Sequence, residues 1–484
     1  MESRRAAKSI AFVAMIPLPR GRDKAQSRER SLGVIGGLEP LASADFLLKL
    51  VEASYADSDA DSFDIVFEQR AHARGTEPAG DAARQLVLFD VIASFAERGV
   101  DRVVLPCFSS QAFLEQLQAN SPLPVADLLA ALRAHVRRQF PAARRIGVVT
   151  SGHLRARGVF ERNFPHGEFQ ILYARLDGDY SLELLREACV DLAEQGAELI
   201  IPGLSELTPF AQKLGPVSVP VIDPHRVYAQ YVVSERLPPP QRPFKLGVVG
   251  GVGPAATVDF LHKVVRHTPA HRDQDHLKVL VEQNPQIPDR TEHLIGRGAD
   301  PTLALYATCK KLQAGAADLI AIPCNTAHAF IELIQPHLDI PIINMLTVTA
   351  SHVRELFPAL PSVGLLATTG TLSSGIYHHA LQKQGLREIV PPPLFQASLM
   401  NAIYGPQGIK AGFTSGQCAE DIQLVIEDLV KQGVEVIILG CTELPLLFPE
   451  REITTRGGRR ITLVDPTDIL ARRCVSQAMA RSTR

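Results

Sequence analysis

The sequence predicts an α/β fold made twice, each copy consisting of two pseudo-symmetric lobes with a parallel sheet flanked by helices and a cleft between the lobes. Three observations predict it. The first is an internal repeat: "GVIGGLEPLASADFLLKL" (33–50) set over "GVVGGVGPAATVDFLHKV" (247–264) is identical at 10 of 18 positions without a gap. The second is that short Val/Ile/Leu runs alternate with stretches of helical period, as in "KLGVVGG" followed by "ATVDFLHKVVRH" and "DLIAIPC" followed by "AFIELIQPHL". Strands that read as unbroken apolar runs between helices belong to a parallel sheet buried on both faces. The third is that the pattern restarts inside each copy. In the second copy "SVGLLATTGT" (362–371) opens a new round that ends in the strand of "VEVIILGCTEL", which gives two lobes with the C-terminal strand ends facing a cleft.

Taken in order, the chain opens with "MESRRAAKSIAFVAMIPLPRG", where basic residues precede a short apolar run and no A-x-A site follows, so residues 1–30 are expected to be a disordered extension rather than an export leader. The first copy spans 31–236 and the second 244–484. Between the copies, "IVFEQR" (65–70) faces "VLVEQN" (279–284), "VVLPCFSSQAF" (103–113) faces "IAIPCNTAHAF" (320–330), and "IIPGLSEL" (200–207) faces "IILGCTEL" (437–444). The Pro-rich run "LPPPQRP" (237–243) is stiff and extended, as a linker should be.

Composition narrows the functions. The 484 residues exceed what one core usually fills. Fifty Lys and Arg against 52 Asp and Glu are interspersed, which leaves no footprint for nucleic acid or an anionic membrane surface. No apolar run approaches the roughly 18 residues that span a bilayer. Seven scattered cysteines without a CxxC do not make a disulfide framework, so a reducing cytoplasm is expected and any special cysteine is a thiol with chemistry.

Cys324 and Cys441 each end an apolar strand and precede a hydroxyl residue and a turn or helix. In open α/β sheets that edge binds ligands. Free amides at a following helix start lower a thiol's pKa and, with Asn325 and Thr326, cradle a carboxylate. Two thiols from opposed lobes suit inversion of a stereocentre, in which one group removes a proton from one face and another returns a proton to the other.

The second copy resembles the PLP-independent aspartate racemase family among the aspartate/glutamate racemases. The motifs "GGVGPAAT", "NPQIPDRT", "IPCNTAHAF", "LLATTGT", "IKAG" and "GCTEL" occur in that family's order over about 244–475. The resemblance implies a cofactor-independent amino-acid racemase with aspartate as substrate, in which Cys324 and Cys441 are the paired acid/base residues. It also implies that Asn325, Thr326 and Thr442 hold the α-amino-acid portion, that Ala327 and Thr369 line the substrate site, and that Arg290 and Lys410 neutralise the distal carboxylate. A planar guanidinium suits that last task. A dimer is implied too, formed by two chains or by the two copies of one chain. Related reactions with strand-end cysteines remain open: glutamate or broad-specificity racemisation, hydantoin racemisation, maleate isomerisation or decarboxylation. A tandem metabolite-binding protein is the non-enzymatic alternative.

"GVVGGVGPAA" also satisfies a dinucleotide-binding pattern, but the first copy carries Glu39 at the second glycine, so NAD is not expected. His267 and His271 are four residues apart, but these two, His276, His378 and His379 come without the Cys/His/carboxylate set that zinc needs, and no metal is expected. His328 and Glu443 either orient the cysteines or cap helices. Cys189, Cys309, Cys418 and Cys474 fall on helical periods and read as packing. The first copy keeps Cys107, but Phe108, Ser109 and Leu204 stand where the second has Asn325, Thr326 and Cys441. It has no counterpart of Lys410, and only Arg74 echoes Arg290, so two-thiol chemistry is not expected there.

Overall fold

The computed structural model describes every residue except 1–30, 38, 57–63, 70–80, 179, 235–242, 449–451 and 483–484. The expected N-terminal extension, all of the linker but Pro243, and Arg74 lie outside the described residues. The chain divides into two compact units, 1–242 and 243–484.

The first unit holds β1 (Ser31–Gly36), β2 (Asp64–Gln69), β3 (Arg102–Val104), β4 (Arg145–Thr150), β5 (Gln170–Arg175) and β6 (Leu199–Pro202). The second holds β7 (Lys245–Gly250), β8 (Lys278–Gln283), β9 (Leu319–Ala321), β10 (Ser362–Leu366), β11 (Arg387–Ile389), β12 (Val436–Leu439), β13 (Glu452–Thr454) and β14 (Arg460–Val464). They form four sheets with one recurring order: β2-β1-β3, β5-β4-β6, β8-β7-β9 and β11-β10-β12-β14-β13. All pairs are parallel except β13 with β14. In the three smaller sheets a single parallel bridge, Val103 to Val125, Ile200 to Val221 and Ile320 to Ile342, marks the place that β14 fills in the fourth.

Each unit therefore has two lobes, and each lobe's central strand is buried on both faces. Along β7, Leu246 and Val248 join a cluster with Phe260 and Leu470, while Val249 points to the other side among Ile320 and Ile322. This period of two is why the run is uninterrupted in the sequence.

Two expected elements are shorter than their patterns. "AFIELIQPHL" breaks into the 3-10 turn Thr326–Phe330, the helical turn Ile331–Ile334 and a second 3-10 turn Gln335–His337, because Pro336 has no N–H for a longer helix. In "SVGLLATTGT" the strand stops at Leu366, and Thr368 caps the helix Thr369–Ser373 by accepting from the Thr371 amide.

The last helix of each unit returns from the second lobe to the first. Pro466–Ser482 follows β14, yet Leu470, Ala471, Cys474 and Val475 pack with Phe260 and Val264 of the helix Pro254–His267. An ion triad pins this return: Lys263 Nζ bonds both Asp259 and Asp465. In the first unit Lys49 Nζ lies 2.8 Å from Asp45 Oδ2 and 2.9 Å from Asp223 Oδ2, joining Pro40–Ala56 to Pro224–Ser234. There the first unit adds a fully buried His225, whose Nδ1 is 2.9 Å from Asp45 Oδ2 and whose Nε2 is 3.1 Å from the Pro106 carbonyl, next to Cys107.

Candidate active site

In the second unit the C-terminal ends of the central strands meet across the cleft. The loops after β7 and β9 and the helix Arg290–Leu294 contribute Val252, Arg290, Thr291, Cys324, Asn325 and Thr326 from one lobe. The other lobe supplies Thr368, Tyr404, Lys410, Cys441, Thr442 and Glu443. The cavity they enclose has a volume of about 10 Å³, roughly the space of one water. Both cysteines are 6% exposed and unbridged.

Arg290, Asn325, Thr326, Lys410 and Thr442 thus line one cavity with the two thiols. Ala327 and Thr369 do not. Ala327 is wholly buried in the core behind Cys324. Thr369 bonds through its amide to Met400 Sδ and through its hydroxyl to Gln396, and its neighbour Thr368 faces the cavity instead.

Hydroxyl groups lock the lobes together at the cavity wall. Thr291 Oγ1 donates to Thr368 Oγ1 at 3.0 Å, and Thr326 Oγ1 lies 2.7 Å from Thr371 Oγ1. Tyr377 OH donates to Asn325 Oδ1 at 2.7 Å, and the Asn325 amide nitrogen is buried with no acceptor. Arg290 is 7% exposed, and its Nε is likewise buried without an acceptor. A buried donor without a partner costs about 1–3 kcal/mol. Two of them around one cavity, one on a cation, make a place for an anionic acceptor.

The surroundings of the two thiols differ. Arg290 stands beside Cys324, whose sulfur is close enough to hydrogen-bond and to raise the guanidinium's pKa against the effect of burial. Cys441 Sγ donates to Glu443 Oε2 at 3.1 Å, and Glu443 Oε1 accepts from Lys410 Nζ at 2.9 Å. Burial first, and then the Glu443 carboxylate, push the Cys441 thiol well above its ordinary value. Lys410 outweighs burial and holds Glu443 below its own. The expected lowering by a following helix start does not hold for Cys441. Only the three-residue turn Leu444–Leu446 follows it, and the adjacent carboxylate dominates.

His328 supports Cys324 through the backbone. Its Nε2 accepts from the Met345 amide at 3.0 Å, so Nδ1 carries the proton and donates to the Cys324 carbonyl at 2.8 Å. Burial pushes its pKa down to about 4, and it is a neutral strut at physiological pH.

The glycine-rich turn after β7 serves this site. Gly251 and Gly253 have φ of +86° and +113°. A Cβ on Gly251 would stand 2.4 Å from the Asn284 carbonyl carbon, and one on Gly253 would stand 2.7 Å from Glu443 Oε1. The glycines make room for a neighbouring loop and for a carboxylate, which accounts for a pattern that also fits dinucleotide binding.

Tyr404, Thr291 and Thr368 were not legible as site residues. Tyr404 donates to Asp289 Oδ2 at 3.3 Å, and the Lys410 ammonium sits 5.1 Å from its ring centroid. A tyrosine six residues before the lysine is its only sequence signal. The remaining cysteines are buried. Desolvation raises Cys189 to about 11 and Cys309 and Cys474 to about 12.

In the first unit two of the corresponding positions are apolar. Leu204 is 4% exposed where Cys441 stands in the second, and Phe108 is 1% exposed and packs on Phe160 where Asn325 stands. Ser205 Oγ accepts from the Phe108 amide at 3.2 Å. Among the described residues, no group of three or more His, Cys, Asp and Glu is placed to hold a metal ion, and no helix is long and apolar enough to cross a membrane.

A sequence model of the family described as Asp/Glu/Hydantoin racemase matches residues 35–232 and again 249–474. The chain is similar to the broad specificity amino-acid racemase RacX of Bacillus subtilis (strain 168), with 26% identity over 242 residues, 49% of this chain and 98% of that protein. It is also similar to a glutamate racemase of Limosilactobacillus reuteri (strain DSM 20016), 30% identical over 156 residues, 31% of this chain but only 52% of the relative. Among solved structures, the Picrophilus torridus aspartate racemase matches with 30% identity and a TM-score of 0.42, covering 49% of this chain and 94% of that one.

Proposed function

From the premise that the chain belongs to the Asp/Glu/hydantoin racemase family, we propose that it racemises an acidic amino acid, with aspartate as the favoured substrate, through the two thiols of residues 244–484 and without a cofactor. The observation that carries this reading is the pair of unpartnered buried donors, Arg290 Nε and Asn325 Nδ2, in the same cavity as two sulfurs from opposed lobes. In this reading the α-carboxylate lies against Asn325, Thr326 and Thr442, and the distal carboxylate against Arg290 with Lys410 nearby. One cysteine, as thiolate, takes the α-proton from one face, and the other, as thiol, delivers a proton to the opposite face. Arg290 and Lys410 offset the repulsion between a developing carbanion and the two carboxylates, and a closed cavity strengthens that attraction. RacX keeps a broad-specificity amino-acid racemase as the alternative. Seven free cysteines fit a reducing compartment such as the cytoplasm.

A second reading applies to residues 31–236. Leu204 and Phe108 favour a module that has given up inversion and serves a structural or metabolite-binding role. The substrate assignment is tested by incubating the purified chain with each enantiomer of aspartate, glutamate, alanine and serine in D₂O, in metal-free reducing buffer. Aspartate is expected to lose optical purity and gain an α-deuteron fastest. No interconversion and no deuterium uptake with any of them would sink the racemase reading.

A further inference from the structure

We propose that Glu443 is a positioning residue that keeps the proton shared by the two thiols on Cys441 in the substrate-free protein, with the Lys410 ion pair setting how firmly it is held. The proposal deepens the racemase reading and rests on it for its catalytic meaning, but the geometry that carries it stands alone. Two chemically identical side chains sit in opposite electrostatic settings. Cys324 has the Arg290 guanidinium beside it. Cys441 points its hydrogen at a carboxylate 3.1 Å away. Glu443 is itself only 4% exposed, and its other oxygen is held by Lys410 at 2.9 Å. The room for that carboxylate exists because residue 253 has no side chain.

The remaining groups around Cys441 do not offset this arrangement. Among the described residues Lys410 is the cation bonded to the carboxylate; Arg290 and Cys324 line the facing lobe, and Tyr404, with Asp289 bonded to its hydroxyl, closes the side. When Cys441 acts as the base, the proton of the pair sits on Cys324 instead: Cys441–SH and Cys324–S⁻ become Cys441–S⁻ and Cys324–SH, with no change in net charge. Glu443 opposes that shift and Lys410 favours it, because an anion destabilises and a cation stabilises a thiolate beside it.

A working two-thiol enzyme carries one proton on the pair, and its high-pH limb reports loss of that proton. Replacing Glu443 by glutamine removes the anion and leaves Lys410 beside the sulfur, so the thiol gives up its proton more easily. Glu443→Gln is therefore expected to move the pH profile of Cys441 alkylation down by about one unit or more, read by site-resolved mass spectrometry on the full-length, substrate-free protein with iodoacetamide. Lys410→Met removes the cation and should move the same profile up. The difference in thiolate ultraviolet absorbance between each folded chain and its Cys441→Ala counterpart gives the same titration without reagent access.

In racemisation, the high-pH limb of kcat/KM should fall by a similar amount in Glu443→Gln and return in Glu443→Asp. The limb must move equally in both directions, because enantiomers have equal free energy and their kcat/KM values are equal at every pH. An unmoved Cys441 profile in Glu443→Gln, or shifts of the same sign in Glu443→Gln and Lys410→Met, would overturn the proposal. Alkylation needs no substrate, so a protein that racemises nothing yet shows the opposed shifts would sink the racemase reading and leave the role of Glu443 standing.

Discussion

Arg290 has the more exacting position of the two cations in the cavity. It opens the short helix Arg290–Leu294, its Nη1 donates to the Pro288 carbonyl at 3.2 Å, and its Nε has no acceptor. Removing it should cost about 2–4 kcal/mol of transition-state binding for a dicarboxylic substrate, and nothing comparable for one without a distal carboxylate. Arg290→Ala is therefore expected to lower kcat/KM on aspartate by about two orders of magnitude, with a much smaller change on alanine or serine, in steady-state assays. Cys324→Ala and Cys441→Ala should each abolish turnover of both enantiomers, since every inversion needs one base and one acid; near-normal kcat in either would refute the two-thiol assignment. Both thiols were legible in the sequence because each follows an apolar strand, and their place at the strand edge follows from the topology. The Glu443–Lys410 pair was not. Its members are 33 residues apart, and only the approach of the helix Pro393–Tyr404 and the turn Ile409–Ala411 to the loop after β12 brings the charges together.

At the scale of elements, the order of strands repeats four times, and the runs of Val, Ile and Leu that predicted it fill the central strands. The triad that ties each closing helix to its unit was hidden. Asp45 and Lys49 align with Asp259 and Lys263 within the repeat, but their partners Asp223 and Asp465 lie 174 and 202 residues from the lysines, in segments of little local pattern. Lys263 is 12% exposed, between carboxylates that are 19% and 22% exposed. Lys263→Met would leave two half-buried carboxylates facing each other, a loss of about 3–5 kcal/mol. Denaturant unfolding of the full chain should show a lower midpoint, and Lys49→Met the same in the first unit. An unfolding free energy unchanged within about 0.5 kcal/mol would mean that the triad is neutral.

On the scale of the whole molecule, two units with the same recurring strand order carry different residues at their strand ends. The first retains its core, with Phe46, Leu132, Val148, Ile200 and Tyr228 fully buried, and retains Cys107 at 5% exposure. At the strand ends it has Phe108 and Leu204 for Asn325 and Cys441, which the sequence revealed because those positions sit inside aligned motifs; it also has no counterpart of Lys410. Cys107→Ala is expected to leave aspartate racemisation unchanged within error; loss of activity would assign the reaction, or part of it, to residues 31–236. The leucine at position 204 also fixes a stoichiometry. Were both strand ends thiols, a substrate-shaped electrophile would consume two equivalents per 52.7 kDa chain before activity vanished. With a hydrocarbon in that place, inactivation should be complete when one equivalent has bound, and saturating aspartate should protect that single equivalent.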